Sequence, residues 1–123
     1  MDNATTARLI REQLPPNGMS LIDLTVSDDK GGGQVVSIRL SVPNTQVANA
    51  TISDFMTNLP MLLGKMSRER GAKIVIVKVE LTTDAGEELL KYVYDFQLEK
   101  ESWWQAEGLT HDWFADPPPP STP

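Results

Sequence analysis

His111-Asp112 is the one place in this chain where an imidazole base adjoins a carboxylate, and His111 is its single histidine. An acyl-transfer triad built on that pair would also need a nucleophile on a strained turn, and no Gly-x-Ser-x-Gly occurs. A histidine-based metal centre would need further histidines. With no cysteine in the sequence, thiolate zinc sites, cysteine nucleophiles, iron–sulfur ligation and disulfides are excluded by inventory.

Other groups with reactive potential are carboxylates and glycines. Asp28-Asp29 and Asp84 with Glu87-Glu88 would offer oxygen ligands to a divalent cation if their turns met, but no Asp-x-Asp-x-Asp-Gly spacing accompanies them. Acidic residues at turns also have a local role, bonding nearby backbone amides. Asp23, Glu80 and Asp95 fall in strand-like stretches and would form an acid–base pair only by facing one pocket. Gly31-Gly32-Gly33 suggests a phosphate cradle, yet it leads through Gln34-Val35-Val36 into a strand rather than a helix, and Asp28-Asp29 would repel an anion. The glycines are therefore assigned to a hairpin turn. No catalytic, metal or cofactor-binding residue is assigned.

The aromatic end of the chain remains. All three tryptophans and one of three phenylalanines, Trp103, Trp104, Trp113 and Phe114, fall within residues 103–114. Adjacent Trp103 and Trp104 point to opposite faces of an extended chain, so one buries against its own sheet and the other needs a different partner. Tryptophan is enriched at interface hot spots. These four residues are assigned to partner binding, against the competing reading that residues 103–114 fold back and seal the core.

Charge narrows the partner. Seventeen acidic against eleven basic residues give −6, which repels phosphate backbones and anionic lipid, so neither nucleic acid nor membrane is expected. From Glu99 onward five acidic residues face Lys100, 1 − 5 = −4, leaving 10 − 12 = −2 for residues 1–98. The acidic surroundings of the tryptophans suit a basic protein surface. No signal-peptide pattern and no apolar run of membrane-spanning length occurs, so a cytoplasmic location is expected and the Asn3 and Asn49 sequons carry no weight.

The elements that must position these residues follow from periodicity. Leu9, Ile10 and Leu14 share a side of a helix over about 5–14, capped by Thr5 or Thr6 and stopped by Pro15-Pro16-Asn17-Gly18. Ile22, Leu24 and Val26, then Val36, Ile38, Leu40 and Val42, alternate as two strands of a hairpin. Ile52, Phe55, Met56, Leu59, Leu62, Leu63 and Met66 form the stripe of a long helix, with a kink or break expected near Asn58 because of Pro60, and a stop at Gly71. Lys73–Leu81 and Glu88–Lys100 make a second hairpin, the last strand crossing the whole sheet.

The resulting expectation is an α+β two-layer sandwich. It has a four-stranded, mainly antiparallel sheet of two hairpins with two helices on one face, in the order α-β-β-α-β-β-tail. Residues 1–116 form one domain and 117–123 a proline-rich tail, extended and without internal hydrogen bonds. The expected function is a small acidic, non-enzymatic protein-binding module of adaptor, inhibitor, immunity or chaperone type, as a homodimer. The alternative is a small-molecule-binding or enzymatic domain with an apolar pocket lined by Tyr92, Tyr94, Phe96, Met56, Met61 and Met66.

Overall fold

Asp2, rather than Thr5 or Thr6, opens the first helix. The computed structural model describes residues 1–109, and in it helix α1 spans Asn3–Arg11. The Asp2 carboxylate accepts the Thr5 N–H at 2.7 Å, and hydrogen bonding to Thr5 holds its carboxyl below the usual value. Thr6 is thereby released from capping. Its buried hydroxyl instead accepts from Gln34 Nε2 at 3.0 Å, tying the helix to the sheet.

Strands β1 (Ser20–Asp28) and β2 (Gln34–Val42) form the expected antiparallel hairpin. Its turn is closed by Asp29 N–H donating to the Gly33 carbonyl at 3.0 Å, while the Asp29 side chain accepts from Gly31 N–H at 3.1 Å. Gly33 has φ +97°, and a Cβ there would lie 2.7 Å from Val75 Cγ1 and 2.9 Å from the Lys73 carbonyl. Glycine lets the hairpin start close to its neighbour.

Helix α2 runs from Thr45 to Arg70 without interruption, so of the kink or break expected near Asn58 the break does not occur. Pro60 lies on the exposed side of the helix and costs it one backbone donor. Ile52, Phe55, Met56, Leu59, Leu63 and Met66 are buried on both sides of it and hold the stripe together. Asn44 caps the start, accepting from Val47 N–H at 2.9 Å, and Gly71 ends the helix with φ +74°.

At roughly 1.5 Å per residue, a helix of 26 residues is long enough to return the chain to the end of the sheet where β2 began. Strand β3 (Ile74–Thr83) therefore lies parallel to β2, and the sheet is mixed. Strand β4 (Glu88–Asp95) returns antiparallel to β3.

The long final strand is corrected to two. Asp95 Oδ1 accepts from the N–H groups of Gln97 and Leu98 at 2.9 and 3.1 Å, and Glu99 takes φ 49°, so the chain reverses after Asp95. Leu98 lies in this turn, 71% exposed, rather than inside. Strand β5 (Lys100–Gln105) pairs antiparallel with β4, giving five strands in the order β1-β2-β3-β4-β5 rather than four.

Both helices pack on one face of this sheet, where three rows of registered residues build the core. Leu21, Leu40, Leu81 and Leu90 make one, ending at Gln105. Leu24, Ile38, Val79, Tyr92 and Trp103 make the central row, and Val26, Val36, Val77 and Tyr94 the third, ending at Glu101. Ile10 of α1 and the α2 stripe close over them. The expected α+β, helices-on-one-face architecture is thus present around a mixed five-stranded sheet.

Candidate functional site

The opposite face of the sheet carries no helix among the described residues, and its composition can be read row by row. Ser20, Ser41, Thr82 and Glu88 lie at one end, followed by Asp23, Arg39, Glu80, Lys91 and Trp104. Thr25, Ser37, Lys78, Val93 and Ser102 come next, and Ser27, Val35, Ile76, Asp95 and Lys100 last. Val35 with its registered partner Ile76, and then Val93 and Trp104 on successive diagonals, form an oblique apolar band across four strands, each partly exposed. In the Asp23 row the signs alternate, and Arg39 Nε meets Glu80 Oε2 at 3.3 Å.

The adjacent tryptophans divide as the period of two requires. Trp103 ends the central core row at 1% exposure, its Nε1 donating to Gln105 Oε1 at 3.1 Å. Gln105 in turn donates to the Leu109 carbonyl at 2.8 Å, and Asn49 Nδ2 donates to the Gly108 carbonyl at 3.0 Å, so the chain after β5 is fastened beside the start of α2. Trp103 is thus a core residue in this fold, with no surface to offer a partner. Trp104 lies on the helix-free face, opposite Lys91. Trp113, Phe114, His111, Asp112 and the proline-rich tail lie outside the described residues.

Around Trp104 the structure departs from the acidic setting read from sequence. Its cross-strand neighbour is a lysine, which also contacts Glu88 at 3.4 Å. On the whole helix-free face Arg39, Lys78, Lys91 and Lys100 balance Asp23, Glu80, Glu88 and Asp95, 4 − 4 = 0, on a chain of −6. A depression of about 480 Å³ on this face is lined by Ile22, Arg39, Glu80, Thr82, Glu88 and Lys91 among others.

The turn carboxylates stay apart. Register places the turn holding Asp28 and Asp29 at the start of β2 and the turn holding Asp84 and Glu87 at the end of β3, which are opposite ends of the sheet. Among the described residues no cluster of three metal-ligating side chains assembles. Asp23 and Glu80 share a row but are separated by Arg39, and Asp95 lies two rows away.

On the helix side a pocket of about 230 Å³ opens between α2 and strands β3 to β5. Its lining is Met56, Leu59, Pro60, Val77, Tyr92, Tyr94, Phe96 and Glu101. Four of the six residues named from sequence for an apolar pocket are here, whereas Met61 is 66% exposed and Met66 packs elsewhere in the core. The rings of Tyr94 and Phe96 meet edge-on, centroids 4.8 Å apart and planes at 69°. The Tyr92 hydroxyl donates to Glu101 Oε2 at 3.0 Å, and burial, reinforced by the Glu101 charge, drives the phenol far above its ordinary value. Glu101 was not singled out from sequence because the turn at Asp95 was not recognised. The alternation Glu101, Trp103, Gln105 on a separate strand would have exposed it.

Among the described residues no helix is long and apolar enough to cross a membrane. Set against known protein families, curated proteins and solved structures, the chain matches none.

Proposed function

We propose that this chain is a protein-binding module that works as a homodimer through the helix-free face of its sheet. The observation that carries the reading is Trp104, a large aromatic held partly exposed at the end of an apolar band on a face that no described element covers. Large aromatics surrounded by polar groups are what interface centres are made of.

Charge selects the occupant. Two molecules of −6 repel at long range, so copies come together most easily through a surface whose own charges sum to zero, as this one's do. A strongly basic partner would gain little from it. Five strands about 4.8 Å apart and about eight residues long at 3.3 Å each present roughly 600 Å² per copy, or roughly 1,200 Å² in all, at the lower end for specific dimers.

Sedimentation equilibrium tests the reading. The expected result is a dimer that Trp104→Arg converts to a folded monomer, with unchanged far-ultraviolet circular dichroism. A wild-type chain that stays monomeric at the highest concentration reached, or a variant that stays dimeric, refutes it.

A further inference from the structure

The pocket on the helix side is independent of the sheet-face contact and has a chemistry of its own. Its walls are hydrocarbon and aromatic apart from one ionised side chain, Glu101, among the described residues that line it. A carboxylate is an acceptor without a donor of its own, so a lone one in an apolar wall favours a ligand that brings positive charge.

The carboxylate is held in place. Tyr92, buried and kept protonated, donates to Glu101 Oε2 from one side, and among the described residues no lysine, arginine or histidine forms an ion pair with it. Across the strand pair Tyr94 stands opposite Glu101, and Phe96 meets Tyr94 at a steep angle, so the two rings form a corner rather than a stack. Aromatic rings attract cations through the negative potential of their faces, and the thioether of Met56 adds a polarizable contact. A volume of about 230 Å³ corresponds to roughly eight waters at 30 Å³ each, the size of a small amine.

We propose that the pocket formed by Met56, Pro60, Tyr92, Tyr94, Phe96 and Glu101 binds a small free organic cation, an alkylated ammonium whose charge pairs with Glu101 while its methyl groups contact the rings. Tyr92 acts as a positioning residue, fixing the carboxylate. Glu101 and the two ring walls make the contact, and the overall charge of −6 raises the local concentration of cations.

The test uses the full chain with two probes of equal shape, choline and neohexyl alcohol, in which carbon replaces the quaternary nitrogen. Binding is followed by calorimetry and by amide and aromatic NMR shifts of the pocket residues. The expected result is that choline binds and neohexyl alcohol binds roughly tenfold more weakly or worse, the range of one charge-assisted contact. Glu101→Gln, whose amide oxygen still accepts from Tyr92, should shrink the difference to the smaller part that the ring faces supply. Phe96→Leu, which keeps the pocket apolar, should weaken choline and leave the alcohol unchanged. Equal binding of the two probes, or a choline preference undiminished in Glu101→Gln, overturns the proposal, as does the absence of any shift at Tyr92, Tyr94 and Phe96. Should a variant fail to fold, the comparison of the two probes on the wild-type chain decides by itself. Oligomeric state plays no part in these readouts, so this site and the sheet-face dimer stand or fall separately.

Discussion

Two neighbouring side chains of one type hold opposite jobs here, and the difference is measurable. Trp103→Ala empties the end of the central core row and should cost about 3–5 kcal/mol of stability in denaturant unfolding, whereas Trp104→Ala should change the monomer's stability by about 1 kcal/mol or less. Tyr92 adds a pH signature. Its phenol is raised above the ordinary value of 10.0 by burial first and by Glu101 second, so the folded state keeps the proton longer than the unfolded chain does. The tyrosine contribution is fully present below about pH 10 and is lost as pH rises beyond it, because the unfolded state then releases the proton more readily. Alkaline unfolding should therefore be steeper in wild type than in Tyr92→Phe when stability is followed from neutral to alkaline pH. At this scale the sequence was informative where the period of two governs. It separates Trp103 from Trp104 and puts Tyr92, Tyr94 and Phe96 together, but it did not reveal Glu101, whose place depends on a strand ending at Asp95, five residues before the expected end at Lys100.

The elements show why that reversal was hidden. Tyr92, Tyr94, Phe96 and Leu98 alternate through the turn without interruption, so hydrophobicity continues the pattern of a strand past its end. What ends the strand is the Asp95 side chain bonding two amides ahead, a local competition that apolar periodicity does not register. Helix α2 shows the converse: Pro60 announces a break, and tertiary burial of the stripe on either side overrides it. The first hairpin was legible in its turn and in most of its alternation, but a register shift between Leu21 and Asp23 leaves Ile22 51% exposed and gives Leu21 the core-facing place that Ile22 was expected to take. The hairpin's two positive-φ glycines are unequal. Gly32→Ala, with open space around it, should cost about 1 kcal/mol, while Gly33→Ala, whose methyl meets Val75 and the Lys73 carbonyl, should cost about 3 kcal/mol, both read from chemical denaturation.

For the molecule as a whole, β5 and the residues behind it belong to the core. A chain stopped after Lys100 loses Trp103 and Leu109, both at 2% exposure or less, and should lose its cooperative thermal transition rather than merely a binding partner. The layer count and helix placement were legible in the sequence, but the parallel contact between β2 and β3 was not, because alternation is the same in either direction and α2's length is what carries the chain back. That contact also governs how the molecule assembles. Hairpin neighbours are joined by turns of a few residues, whereas β2 and β3 are separated by 74 − 42 − 1 = 31 residues. Loop-closure entropy falls on the second event, and pairings distant along the chain are the slow ones. Truncations at Ile38 and Val79, which face each other across it, should slow refolding in stopped-flow experiments, while changes at the hairpin tips mainly speed unfolding. Each half of the sheet should therefore form first through its own local turns, and the merging of the halves should set the folding time.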